Sequence, residues 1–90
     1  MLPQYAKIYQ ATLAKWGEEA QYDQAIEECA ELIAGIKHLK RKRISEEVVI
    51  DELADVALMV GQLTWMLGAD KVEQAIERKL QKLNFLLKES

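Results

Sequence analysis

The chain has 90 residues, half of them hydrophobic and 30% charged, with one Pro, four Gly, one Cys and a formal net charge of -3. This composition excludes disorder, collagen-like repeats and a turn-rich β-sandwich, and it favours one all-α domain over residues 1–90. The small net charge excludes a surface built to coat nucleic acid or an anionic membrane, so an anionic ligand has to be captured locally.

Pro3 suits the first turn of a helix that continues through Tyr5, Ile8, Tyr9, Leu13 and Trp16 until Gly17 breaks it. Met1 to Gln10 has several polar residues and no long apolar run, so no signal peptide is expected. Cys29 has no internal disulfide partner, and the two readings together predict a cytoplasmic protein.

A second helix is predicted to start between Glu18 and Asp23 and to end near Leu39. Its apolar positions, Tyr22, Ile26, Cys29, Ile33 and Ile36, centre on Cys29, which reads as core filler. The basic cluster Lys37, Lys40, Arg41, Lys42 and Arg43 suits the negative end of the helix dipole and reads as a solvated terminus, with His38 exposed beside it. Tyr9, Trp16 and Tyr22 recur at helical spacing and read as core residues more than as a stacking surface.

Ser45 is the expected N-cap of a third helix, Glu46 and Glu47 complement its dipole, and Gly68 closes it after Leu67. From Leu53 to Leu67 apolar residues appear on every side of this helix, so it should be buried all round. Three companion helices cannot cover every face, which predicts a homo-oligomer, dimer or tetramer, assembled through helix three with Trp65 at a subunit contact. The run from Val56 is interrupted by Gly61, Gln62 and Thr64 and is too short to span a bilayer, which takes about 20 residues. Asp70 and Glu73 have capping-box spacing for a fourth helix bearing Val72, Ile76, Leu80, Leu83 and Leu87. Four helices joined by short loops predict a bundle-like single domain.

Five acids stand inside these helices: Glu27, Glu28 and Glu31 in the second, Glu52 and Asp55 in the third. Acids three apart on a helix share a face. Glu52 and Asp55 fall within the apolar stripe of Val48, Val49, Val56, Met59, Leu63 and Met66, so they are expected to point inward. Glu28 sits at the edge of its own stripe, and Glu27 lies further round. Four carboxylates gathered in a bundle core repel one another unless a cation or a proton joins them, and a hard divalent metal is the natural partner.

With Glu27-Glu28-x-x-Glu31, Glu52-x-x-Asp55, the earlier Trp16-Gly17 and Gln21, the run Asp51 to Val56 and the Lys-bearing stretch Glu77 to Lys82, the chain resembles the MazG-like all-α nucleoside triphosphate pyrophosphohydrolases over nearly its whole length. The resemblance implies Mg²⁺, with Mn²⁺ as a substitute, held by Glu28, Glu31, Glu52 and Asp55. It also implies a nucleoside triphosphate cut between its α and β phosphates to monophosphate and pyrophosphate, for nucleotide-pool sanitation or control. Glu27 would be the base that orients or deprotonates water, and Lys79 and Lys82 would contact phosphate. No nucleic-acid or membrane partner is implied. The phosphoribosyl-ATP pyrophosphohydrolases share paired acids, but their Tyr-His after the second motif is replaced here by Ala57-Leu58-Met59-Val60. A different class of reading is a non-enzymatic helical module that dimerises through helix three and binds a partner through its basic end.

Overall fold

A computed structural model describes residues 3–89; Met1, Leu2 and Ser90, the ends of the expected 1–90 domain, lie outside the described residues. The described chain is helical throughout: a 3-10 turn at Pro3–Tyr5, then α1 (Ala6–Trp16), α2 (Glu18–Lys40), α3 (Glu46–Leu67) and α4 (Ala69–Glu89). The helix ends fall where the punctuation residues stand. Gly17 at φ 88° and Gly68 at φ 121° take backbone conformations that side chains disfavour, and their amides close α1 and α3 on Leu13 O and Thr64 O.

Two capping expectations are corrected. Ser45 is the N-cap of α3, but its side chain makes no capping hydrogen bond. Asp70 lies inside the first turn of α4 and is no N-cap, because α4 begins at Ala69, directly after the glycine that ends α3. The second turn is tighter than a loop. Lys42 adopts φ 58°, Lys42 N–H donates to Leu39 O and Arg43 N–H donates to His38 O, the paired bonds of a Schellman ending with Lys at the position that usually takes glycine.

The main interface is the antiparallel pair α2 and α3, with α1 laid across both and α4 packed on α3. On α2 the inward positions are Gln21, Ala25, Glu28, Leu32, Gly35 and Leu39, buried or half-buried. This corrects the stripe read around Cys29. Cys29 is exposed, as are Ile26, Ile33 and Ile36. Ala25 and Gly35 let the two backbones approach, so the small residues take the inward face while the isoleucines are turned out. On α3 Val49 is buried and Glu52, Val56, Met59, Leu63 and Met66 are half-buried, as the stripe predicted except that Val48 is exposed, and Gly61, Gln62 and Thr64, which interrupt the apolar run, are buried as well.

The chain leaves much apolar surface uncovered. α4 buries no residue, and Ile76, Leu80, Leu83 and Leu87 are exposed along it, as are Leu53, Leu58, Val60 and Leu67 on α3. The radius of gyration is 15.8 Å, against roughly 12 Å expected for a compact chain of this length. The accessible surface is 7199 Å², against roughly 5,400 Å² for a folded monomer of 10.3 kDa. Among the described residues, no helix is long and apolar enough to cross a membrane.

Candidate functional site

Glu28 and Glu52 both stand on the inward faces of the α2–α3 interface, where a packing helix would carry an aliphatic residue: Glu28 lies beside Asp55, and Glu52 lies against Gly35, two turns further along α2. Both are half-buried, and Glu28 Oε2 and Glu52 Oε1 are shielded from solvent without a hydrogen-bond partner. A buried oxygen of this kind costs free energy unless something satisfies it. Glu52 reaches its place because Gly35 has no side chain: a Cβ there would lie 2.9 Å from Glu52 Cδ.

Desolvation raises the Glu28 pKa above the ordinary glutamate value of 4.5, and the negative charges of Asp55 and Glu31 raise it further. Asp55 also lies within hydrogen-bonding reach of Glu28, so a shared proton favours the neutral acid. The opposing influence is Gln24, whose Nε2 donates to Glu28 Oε1 at 2.7 Å and supports the charged form. Glu31 and Asp55 are therefore close enough for Glu28 to feel their charge. Glu52 lies against Gly35, one turn beyond Glu31 on α2.

Glu52 points inward as expected, whereas Asp55 is exposed on the rim of the interface. Glu28 sits on the inward track of α2 and not at its edge, and Glu31 and Glu27 are exposed. Lys79 and Lys82 stand exposed on α4, and His38 is exposed beside the basic turn. Among the described residues no three His, Cys, Asp or Glu side chains already stand together in metal-ligating positions. The donors present are nonetheless oxygens only, two of them buried and unsatisfied. Mg²⁺ is commonly bound by one or two carboxylates, with water and substrate phosphate completing its shell, so this donor set fits without a preformed cage.

Sequence reasoning missed a cavity of about 490 Å³ between α1 and the α2–α3 pair, bordered by Tyr9, Trp16, Gln21, Gln24, Met59 and Gln62 among others. Its lining is mostly apolar, and its smaller polar part is tied together by hydrogen bonds. Thr12 Oγ1 donates to Gln62 Oε1 at 2.6 Å, Gln62 Nε2 donates to the Tyr9 carbonyl at 2.9 Å, and Gln21 Nε2 donates to the Thr12 carbonyl at 3.3 Å. Gln21 and Gln62 are buried, which a hydrophobicity count assigns to no site at all. The available signal was their place: Gln62 interrupts the apolar run of α3 and Gln21 follows the Trp16-Gly17 turn. Tyr9 is buried as expected, but Trp16 is 60% exposed, its ring under the Lys15 ammonium at 5.0 Å. Gln24 belongs to both regions, bordering the cavity and bonding Glu28. Compared with protein-family models, curated proteins and solved structures, the chain matches none.

Proposed function

We propose that the chain is a Mg²⁺-dependent hydrolase that cuts a nucleoside triphosphate to monophosphate and pyrophosphate. The observation that carries this reading is that two carboxylate oxygens of the α2–α3 interface are buried and unsatisfied, Glu28 Oε2 with Asp55 and Glu31 beside it and Glu52 Oε1 against Gly35. Structural acids inside a bundle are normally matched to Lys or Arg. Here the neighbours that perturb Glu28 are two further acids and one amide. Glu28, Glu31, Glu52 and Asp55 would hold the metal, which when bound supplies charge neutralisation at the phosphate oxygens and acidifies water.

Each of the chain's own residues then has a task. Glu27, adjacent to Glu28 and exposed, takes the proton of the attacking water as the bond between the α and β phosphates breaks and pyrophosphate leaves. The cavity beside Gln24 seats the base, with Tyr9 and Trp16 offering aromatic surface and the glutamines offering amide edges. Lys79 and Lys82 on α4 supply cations for the phosphates.

A homo-oligomer, dimer or tetramer, belongs to the same reading. The surface in excess of a folded monomer is about 1,800 Å² per chain, or about 3,600 Å² for a pair, which is the size that obligate dimers bury in total, roughly 2,000–5,000 Å². Leu53, Leu58, Val60 and Trp65 on α3 and the stripe of α4 are the surfaces for it.

The test is pyrophosphate release from a panel of triphosphates with and without Mg²⁺, using the native chain and Glu52→Gln. Metal-dependent release that Glu52→Gln abolishes in a folded protein is the expected result. No release from any triphosphate, or release that ignores the substitution, would remove the reading.

A further inference from the structure

Among the described residues, Gln24 is the one side chain that both borders the cavity and donates a hydrogen bond to a carboxylate of the acid cluster. A primary amide has an oxygen and two N–H hydrogens. One hydrogen is committed to Glu28 Oε1, leaving Oε1 of Gln24 and the second hydrogen for a ligand. That remainder is a paired acceptor and donor, which matches the amide-like edge of a heteroaromatic base. The neighbouring amides are less available, since Gln62 already uses its oxygen on Thr12 and its nitrogen on Tyr9, and Gln21 uses its nitrogen on Thr12.

We infer that Gln24 couples the cavity to the acid cluster, so that a heteroaromatic base seated in the cavity tightens divalent-metal binding at Glu28. The inference rests on the proposed function for its metal and adds the linkage. Accepting a hydrogen bond at Oε1 polarises the amide and strengthens the N–H that Gln24 gives to Glu28, because bonds in a chain reinforce one another. A stronger donor holds the Glu28 carboxylate in one orientation, which keeps its second oxygen turned toward the cation site. Linkage is reciprocal, so metal must tighten base binding by the same factor. Gln24 is thus a positioning residue that makes metal affinity responsive to whether the base site is filled.

The experiment uses nucleosides, which have no phosphate and cannot touch the metal through one. Mg²⁺ affinity of the native chain is measured by calorimetry alone and in saturating cytidine, uridine, adenosine or inosine, then repeated with Gln24→Leu. At least one nucleoside is expected to lower the Mg²⁺ dissociation constant by about fivefold or more, the lower end of ordinary coupling between sites. Gln24→Leu, at an exposed position, is expected to fold, to bind Mg²⁺ about tenfold more weakly than native because the group that orients Glu28 is lost, and to show the same Mg²⁺ affinity with and without nucleoside. The inference is overturned if no nucleoside binds, if one binds without altering Mg²⁺ affinity, or if Gln24→Leu keeps the response. Absence of Mg²⁺ binding without nucleoside would instead overturn the proposed function, so the two failures are distinguishable.

Discussion

The carboxylate of Glu52 stands where a side chain on Gly35 would be, with Glu52 Cδ 2.9 Å from the position of a Cβ on that glycine. Bare backbone on α2 is therefore what admits an acid from α3 into the interface. Gly35→Ala is expected to displace the carboxylate, whose flexible end can swing away, while the helix gains about 1 kcal/mol in propensity. Thermal unfolding of the metal-free variant should show stability equal to native or higher. Mg²⁺ affinity should fall by about tenfold or more, the effect typical of disturbing the groups that orient a metal ligand. Native Mg²⁺ affinity in this variant would separate Glu52 from the site.

Gly61 gives the opposite result for the same kind of contact. A Cβ there would lie 2.7 Å from Tyr9 Cζ, and Tyr9 is only 4% exposed, so its ring cannot swing clear. Gly61→Ala should destabilise by about 1–3 kcal/mol in denaturant unfolding, the usual cost of overpacking. Tyr9→Phe removes a buried hydroxyl that has no partner and should be neutral or stabilising by about 1 kcal/mol. A destabilised Tyr9→Phe would mean that the hydroxyl gains a partner in the assembled protein.

Glu27 and Glu28 are consecutive in sequence and about 100° apart around α2, which assigns them different tasks. Glu27→Gln should hold Mg²⁺ and a nonhydrolysable nucleotide within a few-fold of native while turnover falls by roughly 10² to 10⁴, as for general acid-base groups. Glu28→Gln should weaken the metal itself. Rescue of Glu27→Gln turnover by excess Mg²⁺ would make Glu27 a ligand, and unchanged turnover would make it plain surface.

Metal-free protein should lose stability as pH rises through the titration of Glu28. Its folded pKa is raised above 4.5 by desolvation and then by Asp55 and Glu31, so the folded chain binds that proton more tightly than the unfolded chain does. The contribution is full below the unfolded value and is lost as pH climbs through the folded one. Melting temperature against pH for native and Glu28→Gln should show a falling difference over that window, and saturating Mg²⁺ should reverse the trend by selecting the charged form. Parallel curves for the two proteins would show that Glu28 titrates alike in both states.

Mass measurement in dilute solution should find a species larger than the 10.3 kDa chain. Trp65 is partly exposed on α3 among other uncovered apolar residues, and Trp65→Glu is expected to shift the species toward monomer by placing a charge in the contact. A compact native monomer would leave α3 and α4 without the expected cover.

Much of the fold was legible in the sequence because it depends on local chemistry. Gly17 and Gly68 stop helices wherever the rest of the chain goes, and the three-and-four spacing of apolar residues on α3 already turns Glu52 inward. The phase of α2 was not legible, because counting apolar residues favours Ile26, Ile33 and Ile36, whereas a close helix pair selects Ala25 and Gly35 for their size. Which residues are small enough matters only once a partner backbone is near, and that is a property of the tertiary structure. The same holds for the bond from Gln62 to Tyr9 O, 53 positions apart. Gln24 bonds Glu28 within one helix, yet its role as a bridge depends on the cavity that α1 and α3 build around it. Spacing along one helix determined which acids could share a face; the approach of α3 to α2 at Gly35 decided which of their oxygens lost water and gained no partner.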